Sequence, residues 1–106
     1  MYSDHRVQAD EHAVTIRGYS LFGGTRILAY SDVDSVTEFG FGAAGRWRLI
    51  GAGFNSPRRW FAWDPGRRSK SVGFAFDVGR FWVPTVTPDD PAAFREVVAA
   101  RVPVSS

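Results

Sequence analysis

The chain has 106 residues, 44% hydrophobic and 15% aromatic, with no cysteine, two histidines and a formal net charge of +2. That length suits one domain, and sixteen aromatic residues can fill the dense core that an unstapled fold of this size needs. Disulfide scaffolds, thiol nucleophiles and Cys-ligated metal sites are excluded, and the absence of a signal-like start or of an apolar run approaching ~18 residues predicts a protein of the cytoplasm.

Residues 1–11 are polar and without period, so they read as a loose N-terminal segment, free or with its end tied down as a strand, ahead of one domain over 12–106. From His12 the chain alternates as a half-buried strand does, with Val14 and Ile16 on one face and Thr15 and Arg17 on the other. Gly23-Gly24 marks a turn, Thr25 to Tyr30 reads as the next strand, and Ser31 to Ser35 is a polar break pegged by Val33 before Val36 to Phe39 resumes the strand pattern. Arg46-Trp47-Arg48-Leu49 alternates again, and Arg59 to Trp63 gives a further strand that ends at the turn Asp64-Pro65-Gly66-Arg67. Ser69 to Asp77 follows, with Val72, Phe74 and Phe76 sharing a face with Val78. A turn at Val78-Gly79 then opens a last strand, Arg80 to Val86.

Only then does the period change. Phe94, Val97, Val98 and Val102 recur at helical spacing behind the start signal Thr87-Pro88-Asp89-Asp90-Pro91, predicting one amphipathic helix from Pro91 to Val102. Its one-sided stripe requires an apolar surface to lie on, and the sheet is the available partner. The implied topology is about seven antiparallel strands closed by one C-terminal helix.

In this arrangement the chain resembles the bacterial pleckstrin-homology-like (PH-like) domains. The resemblance rests on Ile27 to Val36, similar to the family's strand, Tyr-Ser-Asp-Ile knuckle and following strand, and on Thr87 to Phe94, similar to the entry into its capping helix. With strand count and order it covers residues 12–102. The resemblance implies a mainly β (α+β) fold, a half-open barrel of two near-orthogonal sheets plugged at one end by the helix, in a non-enzymatic module, some of whose relatives form homo-oligomers. Lipid-binding relatives hold phosphates at the first hairpin with a Lys and an Arg-x-Arg or Lys-x-Arg pattern; here that hairpin offers Arg17 and Arg26, and the middle of the motif is missing.

Several motifs have cheaper structural explanations. Gly40-Phe41-Gly42-Ala43-Ala44-Gly45 spells the dinucleotide pattern G-x-G-x-x-G, but a strand pattern follows it where a helix N-terminus must receive the pyrophosphate. Gly73-Phe74-Ala75-Phe76 matches the middle of an RNA-binding RNP1 motif, yet its flanks fail and buried phenylalanine explains it. Asp32 with Asp34 fit a turn, and Asp89 with Asp90 fit a helix start. His5 and His12 lack metal or triad spacing, so no catalytic residue, metal ligand or cofactor is expected.

Charge carries the remaining signal. Residues 1–40 have three basic and six acidic side chains, residues 41–82 eight and two, and the rest two and three, while all four tryptophans fall in the basic middle. The candidate binding residues are therefore Arg46, Arg48, Arg58, Arg59, Trp60, Arg67, Arg68 and Lys70, a basic and aromatic set suited to an anionic surface. The expected partners are a protein or another copy of the chain, met through an exposed strand edge and aromatics. An anionic lipid surface is the alternative, and nucleic acid is disfavoured.

Overall fold

The computed structural model describes residues 1–20, 23–40, 51–52, 59–61 and 72–105. In chain order the strands are β1 (Tyr2–Ser3), β2 (Val7–Ala9), β3 (Ala13–Ser20), β4 (Gly23–Ala29), β5 (Ser35–Gly40), β6 (Gly51–Ala52), β7 (Arg59–Phe61), β8 (Val72–Asp77), β9 (Val83–Val86) and, after the helix α1 (Pro91–Ala99), β10 (Val104–Ser105). They form two sheets, ordered β1-β2-β3-β4 and β10-β5-β8-β9-β7-β6. The described architecture is thus mainly β with one helix, as the periodicities imply, and since no described strand pairs across the two sheets it is not a closed barrel.

The N-terminal segment is tied down as strand rather than loose: β1 and β2 both belong to the first sheet. Two aspartates fold it. Asp4 Oδ1 accepts the backbone N–H groups of Arg6 and Val7, and Asp10 Oδ1 accepts those of His12 and Ala13, so each carboxylate closes a tight turn. The chain between them becomes β2, antiparallel to both β1 and β3, and it buries Val7 and Ala9 on the core side. Tyr2 then reaches the start of α1, where its hydroxyl donates to Asp4 Oδ2 and accepts from Asp90 N–H at 3.0 Å, while Asp89 N–H donates to the same Asp4 oxygen at 2.9 Å.

The first sheet keeps the expected alternation, with Val14, Ile16 and Leu28 buried. Gly23 already belongs to β4, pairing with Ser20, and Tyr30 leaves the strand as the first residue of a 3₁₀ turn, Tyr30–Asp32, with Val33 buried behind it. In the second sheet β8 lies between β5 and β9, and residues on both of its faces are buried: Phe74 and Phe76 fully, Gly73 and Ala75 on the opposite face nearly so. The Phe39 ring lies on Gly73, where a Cβ would come within 2.8 Å of the ring tip.

Three expectations are corrected here. First, not every strand is antiparallel: β10 runs parallel to β5 and β7 parallel to β9. Neither pair is joined by a hairpin, and the crossover through α1 returns β10 in the direction of β5. Second, the last strand of the meander starts at Val83 instead of Arg80, because Asp77 Oδ1 accepts Gly79 N–H at 2.9 Å and Gly79 takes φ +75°, bending residues 79–82 out of the ladder. Third, α1 ends at Ala99, short of Val102. Pro103 disfavours helical backbone at the residue before it, and the chain turns there into β10 with Val102 still buried.

Helix α1 begins as expected. Asp90 is its N-cap, accepting Ala93 N–H at 3.1 Å, and Pro91 occupies the first turn, where no N–H is needed. Phe94 is fully buried, and its ring meets Tyr2 of the first sheet at 5.5 Å and Phe74 and Phe76 of the second at 4.9 and 6.2 Å. The helix therefore closes the space between the sheets through one side chain that touches both. Outside the core, Arg95 Nε meets Glu38 Oε1 of β5 at 2.7 Å.

Candidate functional site

Of the expected binding residues, Arg46, Arg48, Arg58, Arg67, Arg68 and Lys70 lie outside the described residues. Arg59 and Trp60 are placed by backbone: they are the first two residues of β7, opposite Val83 and Pro84 of the parallel strand β9. Parallel pairing puts the beginnings of β7 and β9 at one end of the second sheet. The bend that leads into β9 carries Arg80, Phe81 and Trp82, all exposed. Phe81 is 64% and Trp82 43% exposed, their rings in T-shaped contact at 5.2 Å.

This aromatic corner is the clearest surface feature of the described residues, and the sequence reading missed it. Read as strand, Phe81 and Trp82 had to point to opposite faces. The signal that could have placed them outside is Gly79 two residues after Asp77, an Asx-turn pattern that ends a ladder. Aromatic side chains combine large apolar area with few rotors, so an exposed adjacent pair is the chemistry that protein contacts use as anchors.

The first hairpin of the long strands does not assemble a phosphate site. Ile16 pairs with Arg26 and Arg17 with Thr25, so period two sends Arg26 to the core face and Arg17 to the outer face. Each guanidinium is held internally. Arg17 donates to the Asp4 carbonyl at 2.8 Å and to Gln8 Oε1 at 3.1 Å, while Arg26 donates to Tyr19 Oη at 3.1 Å and sits 5.0 Å from that ring's centre. Burial raises the Tyr19 hydroxyl above its ordinary pKa although Arg26 works against it, so the phenol stays neutral.

The acidic pairs serve structure. Asp90 caps α1, and Asp32 lies in the 3₁₀ turn. Burial works to raise Asp4, but the hydrogen bonds from Tyr2, Asp89, Arg6 and Val7 outweigh it and hold its carboxyl below the usual range. No group of three or more potential metal ligands occurs among the described residues. A groove of about 580 Å³ beside α1 is rimmed by Asp10, Glu11, Glu96 and Arg101, charges of both signs that do not converge on one ligand type. Phe74 and Phe76 of the RNP1-like stretch are fully buried and present no ring for base stacking. No helix among the described residues is long and apolar enough to cross a membrane. Compared with protein-family models, with curated proteins and with solved structures, the chain finds no match.

Proposed function

We propose that the chain is a non-catalytic PH-like module that works by protein contact, with a partner protein or with its own copies, rather than by chemistry. The two sheets with a terminal helix packed between them support the PH-like reading, and the departures from a plain meander sit at sheet margins: β1 and β2 extend the first sheet, β10 and the β7–β6 pair flank the second. The observation that carries the contact reading is the exposed Phe81–Trp82 pair, held at the end of the second sheet by the Asp77–Gly79 turn. A second reading, binding of an anionic lipid surface, is favoured by the parallel register that starts Arg59 beside this same corner.

Salt separates the two. A protein retained by the wild-type chain through about 0.5 M NaCl, and lost with Phe81→Ser plus Trp82→Ser, supports the contact reading, because screened charges could not hold it. Sedimentation with anionic vesicles at about 50 mM salt and release by about 200 mM, abolished by Arg59→Glu plus Arg68→Glu but not by the aromatic changes, would replace it with the anionic reading.

A further inference from the structure

We infer that residues 1–11 form a strap that protonation of Asp4 and Asp10 releases from β3 and α1 while the core stays folded. The inference concerns a conformational device and does not rest on the contact reading. Both ends of the strap are closed by a carboxylate. Asp4 accepts four donors, the Tyr2 hydroxyl and Asp89 N–H on Oδ2 and the Arg6 and Val7 N–H groups on Oδ1, while Asp10 Oδ1 accepts two, from His12 and Ala13. Four donors fill the lone pairs of a carboxylate, so a proton on Asp4 must weaken or displace at least one of them. The strap joins the start of α1 through the same atoms: the Asp89 bond ends on Asp4, and the Asp90 bond ends on the Tyr2 hydroxyl that itself donates to Asp4. The backbone ladder behind these bonds is short, β1 having two residues and β2 three.

The hydrogen bonds also set the direction. Burial opposes the Asp4 anion, but the four donors outweigh it and hold the carboxyl below the usual range, and the bonds from His12 and Ala13 lower Asp10 likewise. Each carboxylate therefore holds the strap fully above the ordinary aspartate value of about 4 and ceases to hold it as pH falls through the folded value. Asp89 and Asp90 face Asp4 from the start of α1, Arg17 reaches its carbonyl from β3, and His5 and Arg6 lie in the turn it closes. Glu11 and His12 share the Asp10 turn, Glu96 and Arg101 face it across the groove, and the Tyr30 hydroxyl donates to the Asp10 carbonyl at 2.8 Å. The Arg17 and Tyr30 bonds end on carbonyls, which do not titrate, so the acid response belongs to the two carboxylates. The core has no such dependence. Beyond the strap's own Tyr2, Val7 and Ala9, the buried cluster holds no carboxylate, and Phe94 keeps Phe74 and Phe76 when Tyr2 leaves. Release uncovers the backbone of β3 that pairs with β2 and the side of the Phe94 ring that Tyr2 covers.

Amide hydrogen exchange followed by NMR from about pH 5 to about pH 2.5, each rate divided by that of an unstructured chain at the same pH, tests this. Arg17 N–H, which donates to the Arg6 carbonyl, and Asp90 N–H, which donates to Tyr2, report the strap; Val36 N–H, on the Pro103 carbonyl, and Val102 N–H, on that of Val98, report the core. Protection of the first pair should fall by about tenfold or more over that range, and that of the second pair by less than about twofold. Asp4→Asn with Asp10→Asn keeps an acceptor at each turn and removes its charge, so strap protection should already be low at about pH 5 and stay level below it. Glu38→Gln, which removes the carboxylate that Arg95 meets on β5, should leave the wild-type response unchanged. Strap and core probes that fall together at one midpoint would mean that the fold opens as a whole, and would overturn the inference. Strap protection that holds constant down to about pH 2.5 would overturn it equally. A response that survives in the double variant would belong to Asp89, Asp90, Glu11 or Glu96 and would also sink it. The wild-type profile decides alone if the double variant does not fold.

Discussion

Replacing Phe94 by alanine removes the side chain through which α1 touches both sheets. The ring is fully buried and lies against Tyr2, Phe74 and Phe76, so its loss combines the transfer free energy of a buried phenyl with an unfilled hole between three other rings. Large-to-small changes of this kind cost ~3–5 kcal/mol, and each lost edge-to-face contact accounts for ~0.5–1.5 kcal/mol of that total beyond burial. The partners come from β1 and β8, in different sheets, so the hole cannot collapse without moving one sheet toward the other, and the upper half of the range is expected. For a chain this size the melting temperature should fall by roughly 15–30 °C. Urea unfolding followed by tryptophan fluorescence and by far-ultraviolet circular dichroism measures it, with the midpoint falling and the slope unchanged. Phe94→Leu, which refills most of the volume, should recover more than half of the loss. A cost for Phe94→Ala below ~1 kcal/mol is the scale of a surface change and would refute the docking of α1 described above.

Two further changes test other parts of the fold. Asp4→Ala removes the acceptor of four hydrogen bonds and should cost ~1–3 kcal/mol at neutral pH, measured by urea unfolding. The Asp4 carboxyl titrates below its unfolded value, so the stability it contributes is complete above about pH 4 and lost as pH falls through the folded pKa; the gap between wild type and Asp4→Asn should therefore narrow in acid. Gly73→Ala drives a methyl into the Phe39 ring and should cost ~1–3 kcal/mol, whereas Phe39→Ala in the same chain should make the Gly73 change nearly neutral in a double-mutant cycle.

The strands with one buried face were legible residue by residue. Val14, Ile16 and Leu28, and the helix start at Asp90 and Pro91, announce themselves by period and by capping chemistry, both properties of neighbours in sequence. The extent and pairing of the strands between Tyr2 and Ala9 were not legible in the segment itself because its stability comes from elsewhere. Tyr2 and Asp4 are held by backbone groups of residues 89 and 90, partners that no local pattern reveals. Phe81 and Trp82 were misassigned for the opposite reason, their aromatic character suiting a strand until the Asp77–Gly79 turn removed them from it. Arg17 and Arg26 look like a pair in sequence, yet the strand register puts them on opposite faces.

What the sequence determined by itself is the set of local choices: alternation for β, a capped amphipathic helix at the end, no cysteine chemistry, and a basic middle beside an acidic start. Tertiary structure alone decided the parallel pairing of β7 with β9 and of β10 with β5, the sharing of Phe94 between two sheets, and the place of β4 at the margin of its sheet among the described residues. The physical reason is that side-chain period is written into each segment. Strand neighbours, edges and outward-facing backbone groups depend instead on where the chain returns after a crossover, and that is selected by burial summed over the whole core.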